Sequence, residues 1–211
     1  MKQKLCVFDF DSTLMDGETI EILASATGHE AKVKAITRKA MAGDLDFFEA
    51  LSERVKLLKG LDYKEALELC QTLPLMPGAK ETVTELKKAG HLVIIFSGGF
   101  REATSYYAKL LGADADFANF LHQKNGRLTG LVGGEMMTGD AKGKMLGRLQ
   151  TLLKISSEDT IAVGDGANDL SMFERAGTKI AFCAKPVLQE AADICINDKA
   201  LTKVLDVIPL N

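Results

Sequence analysis

The chain has no long apolar run and no excess of positive charge. The N-terminal stretch MKQKLCVFDF is shorter in its apolar part than a signal peptide core of about 7–15 residues or a spanning helix of about 20. The net charge of −3 gives no electrostatic affinity for nucleic acid or an anionic membrane. We therefore expect a cytoplasmic protein with neither partner, in which local cations bind any anionic substrate.

Cysteine is also scarce, and none of the four cysteines forms a CxxC pair. Three of them lie in apolar runs typical of strands, where a reduced cysteine acts as a small hydrophobic residue. This pattern predicts buried free thiols in a reducing compartment. The four residues are Cys6, Cys70, Cys183 and Cys195.

Short apolar runs alternate with helical segments along the 211 residues. Most of these runs are apolar throughout, as in parallel strands that are covered on both faces. The helix predicted over 78–90 ends at Gly90, and a second helix, predicted from Asn168, ends at Gly177. Strands alternating with helices indicate an α/β fold, a Rossmann-like doubly wound parallel sheet. The predicted strands are 4–10, 91–97, 160–165, 178–184 and 193–197.

Two segments depart from this alternation. Residues 14–76 contain no convincing strand and are rich in Ala, Glu, Lys and Leu, so they predict an inserted helical cap. Residues 117–137 contain an Asn-Gly pair between apolar flanks, which predicts a small β-hairpin flap. The catalytic core is then 1–13 and 77–211, with the flap inside it.

Polar groups follow three of the predicted strands, where a doubly wound sheet binds its ligands. If these strands are parallel neighbours, four carboxylates meet at one edge of the sheet. Like charges so close raise one another's pKa unless a cation compensates, and a hard divalent cation such as Mg²⁺ takes oxygen ligands. The four residues are Asp9, Asp11, Asp165 and Asp169.

Helix capping is the alternative role for any one of these aspartates. Two strand ends that each carry a spaced pair disfavour capping for the set as a whole. For Asp169 alone, a capping or supporting role stays open.

The segment GDAKGKML supplies a positive charge before the third acidic strand. A phosphate-binding P-loop is excluded, because Gly139 and Gly143 are one residue too close and Met145 stands where Ser or Thr is needed. Lys142 or Lys144 could instead offset the charge of a transferring phosphoryl group.

These motifs together resemble the haloacid dehalogenase superfamily, and within it the phosphatases that act on phosphoserine. They occur in the order VFDFDST, SGGF, a lysine before the last acidic strand, and AVGDGANDLSMF, from the first strand to the last. The resemblance implies the superfamily's Rossmann-like core with a helical cap inserted after the first strand.

The resemblance also implies roles for the motif residues. Asp9 matches the nucleophile that forms an aspartyl-phosphate, and Asp11 matches the general acid/base. Ser97 and the backbone N–H of Gly98 match the phosphate-binding motif. Lys142, in the sequence AKG, matches the motif lysine better than Lys144 does.

A magnesium site follows from the same resemblance. Asp9, the main-chain oxygen of Asp11 and Asp165 would hold Mg²⁺ as the cofactor. Asp169 would support this site, and Asn168 would lie close to the phosphate.

The resemblance places substrate selection in the cap. Glu18 matches the residue that binds the amino group of phosphoserine, and Arg54 matches the residue that binds its carboxylate. Met41 and Phe47 match apolar residues that line the pocket. The implied reaction is hydrolysis of O-phospho-L-serine to L-serine and phosphate, the last step of serine biosynthesis.

Two other functions stay open at this point. The same chemistry could serve another small phosphomonoester or a phosphoryl transfer to a second amino alcohol. A non-enzymatic phospho-acceptor also gathers aspartates at strand ends, but it has little use for Asp11 or for a large cap.

Overall fold

The computed structural model of the chain describes residues 2–41, the last of these by its backbone alone, and residues 45–208. Seven of its strands form one sheet in the order β4-β3-β2-β1-β5-β6-β7, in which only β4 is antiparallel to its neighbour. The strands are β1 (Leu5–Asp9), β2 (Leu92–Phe100), β3 (Ala115–Lys124), β4 (Arg127–Gly134), β5 (Thr160–Gly164), β6 (Thr178–Phe182) and β7 (Ile194–Ile196). The predicted α/β fold class is confirmed.

Helices cover both faces of the sheet, and the first four lie between β1 and β2. Among the described residues, none of the helices is both long and apolar enough to cross a membrane. The helices are α1 (Thr19–Ala26), α2 (Glu30–Met41), α3 (Phe47–Lys56), α4 (Tyr63–Cys70), α5 (Ala79–Lys88), α6 (Arg101–Leu111), α7 (Ala141–Leu153), α8 (Leu170–Phe173) and α9 (Pro186–Gln189).

The central strand β1 shows why its sequence is apolar without alternation. Cys6 and Phe8 point into the larger core cluster, which also contains apolar residues of α1, α3 and α5. Leu5 and Val7 point to the opposite face, into a second cluster with residues of α7 and α8. Because both faces of β1 are buried, the strand is fixed at the middle of the molecule and its carboxyl end is fixed with it.

Two segments that lie side by side connect α1–α4 to the sheet. Met15 and Leu75 form an antiparallel bridge, and the N–H of Met76 donates to the carbonyl oxygen of Leu14 over 2.9 Å. This pairing supports the division into a cap over 14–76 and a core, which we retain as a proposal.

The predicted hairpin is present, with its turn at Asn125 and Gly126. Both turn residues have positive φ, 53° and 74°, as the two-residue hairpin turn requires. Its first strand begins earlier than predicted, at Ala115, because that end pairs in parallel with β2. The hairpin is therefore an extension of the main sheet, and near its tip Leu128 accepts a hydrogen bond of 2.8 Å from the N–H of Gly60 in the cap.

Other predicted boundaries are also wrong. The strand predicted over 91–97 continues to Phe100. The strand predicted over 178–184 ends at Phe182, because Cys183 has a φ of 45° that turns the chain away from the sheet. The helix predicted to end at Gly177 is only the single turn α8. Its preceding residues form a tight turn that serves the site described below.

The prediction of buried thiols holds for two of the four cysteines. All four are free; Cys6 and Cys70 are buried, and burial raises the pKa of Cys6 to about 12. Cys183 is half-buried, and the prediction is wrong for Cys195, which is exposed.

Candidate active site

The carboxyl ends of β2, β1 and β5 meet beside helices α1–α3, and together they border a cavity of about 220 Å³. Most of the predicted site residues line this cavity. Ser97, Lys142 and Asp169 are buried close to it, and the side chain of Met41 lies outside the described residues. The predicted residues that line it are Asp9, Asp11, Gly98, Asp165 and Asn168 from the core and Glu18, Phe47 and Arg54 from the cap region.

A buried lysine connects two of the acidic residues. Lys142, at the start of α7, donates to Oδ1 of Asp9 and to Oδ1 of Asp169, each over 2.5 Å. Its side chain is 4% exposed, whereas that of Lys144 is 65% exposed and pairs with Asp140 on the surface. Of the two lysines that the sequence suggested, Lys142 is the one in the site.

This contact affects the pKa of Lys142 and that of Asp9. Burial alone would lower the pKa of Lys142, but the carboxylates of Asp169 and Asp9 together raise it. Burial, and then the nearby Asp169 carboxylate, raises the pKa of Asp9 well above its ordinary value, although Lys142 opposes the shift. The same two causes raise the pKa of Asp165 to about 6. The positive charge of Lys142 therefore offsets only part of the negative charge of these carboxyl groups.

Three of these carboxyl groups form a set suited to a cation. Asp9, Asp165 and Asp169 each offer an oxygen within 4.8 Å of the other two, and all three residues are buried. Carboxylate oxygens in such a set are the ligands of hard divalent cations. The residues present therefore fit a divalent metal ion.

Asp169 also orders the loop that carries Asp165. Its Oδ2 accepts hydrogen bonds from the N–H groups of Asp165 and Gly166, at 3.0 and 3.2 Å. A Cβ at Gly164 would lie 2.3 Å from the same oxygen, so only glycine fits there. The carboxylate of Asp169 thus accepts hydrogen bonds from the backbone of the preceding loop. It makes no capping hydrogen bond to α8.

Asp11 lies in the five-residue turn Phe10–Leu14 that follows β1; its own backbone is extended, and the next residue, Ser12, has a φ of 60°. Its Oδ1 accepts hydrogen bonds from the N–H and the hydroxyl of Thr19, at 2.7 and 2.6 Å. Its Oδ2 accepts one from Ser97 over 3.2 Å. Burial raises the pKa of Asp11, and the hydrogen bonds from Thr19 oppose this.

Two glycines after Ser97 bring the backbone close to the cavity. The hydroxyl of Ser97 accepts a hydrogen bond of 2.8 Å from the N–H of Gly99. A Cβ at Gly98 would lie 2.8 Å from the ring of Phe47, and one at Gly99 would lie 2.8 Å from Asp11. Side chains at these positions would fill the space where a ligand could approach the backbone.

The cavity also carries one acid and one base away from the carboxylate set. Glu18 accepts a hydrogen bond of 2.8 Å from Ser12, and burial, followed by the Asp11 carboxyl group, raises the pKa of Glu18 to about 8. Arg54 donates to the carbonyl of Ala50 and to the hydroxyl of Thr37, at 3.1 and 3.3 Å. Within the described residues Arg54 has no ion pair, so part of its guanidinium can bind a ligand.

Sequence reasoning missed polar residues of the site, among them Lys185, Thr19 and Thr37. Lys185 lines the cavity after β6, and its Nζ lies 3.6 Å from Oδ2 of Asp165. The signal was present, because β6 is a fourth parallel strand whose carboxyl end lies at the same edge. For Thr19, which holds Asp11, the sequence offered no signal beyond a hydroxyl at a helix start.

The model of the haloacid dehalogenase-like hydrolase family matches residues 3–177 of the chain. The phosphoserine phosphatase of Campylobacter jejuni subsp. doylei is 55% identical over 205 residues, which are 97% of this chain and 99% of that protein. The phosphoserine phosphatase of Wolinella succinogenes is 57% identical over 202 residues, 96% of this chain and 98% of that one.

Solved structures agree with these sequence matches. A phospho-aspartyl intermediate analogue of a phosphoserine phosphatase is 48% identical with a TM-score of 0.95, over 99% of this chain and 100% of that chain. A substrate-bound phosphoserine phosphatase complex is 47% identical with the same TM-score and coverage.

Replacement of Lys142 by methionine tests whether the buried ion pairs stabilise the fold. With divalent cations removed, we expect Lys142→Met to lower the free energy of unfolding by about 3 kcal/mol, because it leaves two buried carboxylates without their cation. The matched change Lys144→Met removes only an exposed pair and should cost less than about 0.5 kcal/mol. Urea denaturation followed by circular dichroism measures both, and equal losses would contradict the assignment.

Proposed function

The chain belongs to the haloacid dehalogenase-like hydrolase family, and we propose that it is a phosphoserine phosphatase, which hydrolyses O-phospho-L-serine to L-serine and phosphate. One observation supports phosphoserine as the substrate: Glu18 and Arg54 line the same cavity as the buried Asp9. A substrate with both an ammonium group and a carboxylate is bound selectively by one acidic and one basic side chain. These side chains must lie at a fixed distance from the reacting carboxylate of Asp9. Phosphoserine has both groups.

The carboxylate set is proposed to bind Mg²⁺ through Asp9, Asp165 and the main-chain oxygen of Asp11, with Asp169 in support. The mutual proximity of three buried carboxyl groups supports a divalent cation of this type. When bound, the ion offsets the charge of these acids and of the transferring phosphoryl group.

In the first half of the reaction Asp9 is the nucleophile. Lys142 bonds its Oδ1, which supports Oδ2 as the attacking atom. The new bond from Oδ2 to phosphorus forms as the bond from phosphorus to the serine oxygen breaks. Asp11 gives its proton to that oxygen, and serine leaves an aspartyl-phosphate behind.

In the second half Asp11, now a carboxylate, removes a proton from water. The water oxygen attacks phosphorus, the bond to Asp9 breaks, and phosphate is released. The raised pKa of Asp11 suits a group that must carry a proton in one half and accept one in the other.

Hydrogen-bond donors beside the carboxylates are proposed to bind the phosphoryl oxygens. Ser97, the N–H of Gly98, Lys142 and Asn168 provide them. Lys142 has a second role, because it also holds Asp9 and Asp169 in position. Preorganised donors of this kind stabilise charge that develops in the transition state.

The cap residues are proposed to select the substrate. Glu18 would bind the ammonium group, and Arg54 would bind the carboxylate with its planar guanidinium. Phe47 lines the same cavity and packs over Gly98, which keeps water from the phosphoryl group. A pocket role for Met41 and a cytoplasmic location both remain predictions from the sequence.

The direct test of this function is phosphate release from L-phosphoserine against a panel of small phosphomonoesters. We expect phosphoserine to have the highest kcat/KM of the panel, and we expect chelation of divalent cations to abolish its hydrolysis. Equal or better hydrolysis of a phosphomonoester without an amino-acid group would contradict the substrate assignment.

Replacement of Arg54 tests substrate selection separately from the chemistry. Arg54→Ala should lower kcat/KM for phosphoserine by about 10- to 150-fold, the value of one charge-assisted hydrogen bond, while an aryl phosphate is hydrolysed almost as before. Arg38→Ala is the matched control, because Arg38 is an exposed arginine of α2. Equal losses on both substrates would show that Arg54 does not bind the carboxylate.

A further inference from the structure

Lys185 differs from Lys142 in how firmly its ammonium group is held. The Lys142 side chain is 4% exposed and bonds two carboxylates at 2.5 Å. The Lys185 side chain is 45% exposed, and its Nζ lies 3.6 Å from Oδ2 of Asp165, longer than a normal hydrogen bond. Lys185 therefore forms a loose ion pair that can open at small cost.

The backbone at Lys185, in contrast, is anchored beside the carboxylate set. The N–H of Lys185 donates to the carbonyl oxygen of Asp165 over 2.8 Å. Pro186 follows at the first position of α9, and its ring fixes the backbone there. Because the backbone is held, only the flexible four-carbon side chain moves the ammonium group.

Asp165 can pair with either of two cations, a divalent metal ion or the ammonium group of Lys185. It belongs to the carboxylate set that fits a divalent ion, and it also pairs with Lys185. A divalent cation held by this carboxylate would repel the ammonium group of Lys185 and compete with it for Asp165. Lys185 lines the cavity that Asp9 and Asn168 also line, so a released ammonium group would have a phosphate group within its reach there.

We propose that Lys185 lowers the affinity of the site for a divalent cation and raises its affinity for phosphate. While it pairs with Asp165, it weakens binding of the cation; once the cation has displaced it, its ammonium group binds the phosphate group. This inference rests on the proposed function, which places a cation and a phosphate group in the cavity. It adds a phosphate-binding residue that the sequence motifs do not include.

Calorimetry on Lys185→Gln tests both effects without turnover. With Mg²⁺ titrated into the metal-free protein, the variant should bind about three- to tenfold more tightly than the unchanged protein, because a nearby positive charge is removed. With inorganic phosphate titrated into the Mg²⁺-saturated protein, the variant should bind about three- to tenfold more weakly. The two constants must move in opposite directions.

Two control variants separate this effect from a general change in charge. Lys185→Arg keeps the cation and should keep both affinities within about twofold of the unchanged protein. Lys179→Gln removes a lysine of β6 that pairs with Asp193, also at 3.6 Å, outside the residues that line the cavity, and should change neither constant.

Any other combination overturns the inference, including unchanged Mg²⁺ affinity, or weaker binding of both ligands, in Lys185→Gln. Absence of Mg²⁺ binding by the unchanged protein would overturn it as well. Because no phosphoserine is used, a failure of the substrate assignment would appear in the hydrolysis panel and not in these titrations.

Discussion

The site depends on one interaction, the ammonium group of Lys142 bonded to both Asp9 and Asp169. Buried carboxylates at such short separations repel one another, and burial removes the water that would screen them. Lys142 offsets part of that repulsion and leaves one oxygen of Asp9 without its contact. The remaining excess of acid is what makes the position suitable for a divalent cation.

The fold brings these groups together through the geometry of parallel strands. Because β2, β1 and β5 are parallel neighbours, their carboxyl ends lie at one edge, and Asp9 and Asp165 follow two of them. Both faces of β1 are buried, so the strand cannot shift to relieve the repulsion. The apolar core thus holds charged groups in an arrangement that they would not adopt in water.

Much of this arrangement could be predicted from the sequence. Apolar runs without alternation predicted a parallel sheet, and spaced aspartates after two of them predicted that Asp9 and Asp165 would meet. Resemblance to a family added Glu18 and Arg54, whose neighbouring residues in the sequence carry no local signal of a binding site. The resemblance also favoured Lys142 over Lys144, although sequence spacing alone does not distinguish a buried lysine from an exposed one on the first turn of one helix.

The parts that escaped prediction have physical causes. The end of β6 was placed two residues too far because Cys183 is apolar and gives no sign of its positive φ. The contact between Thr19 and Asp11 depends on the angle at which α1 leaves the core, and no short-range pattern encodes that angle.

The central claim is that a carboxylate of the protein, and not water, makes the first bond to phosphorus. Acid quenching during turnover of phosphoserine labelled in its phosphate group, followed by peptide mapping, tests this directly. The account predicts acid-stable label on Asp9, with both label and hydrolysis lost in Asp9→Asn. Undiminished hydrolysis by that variant, or label on another residue, would contradict it.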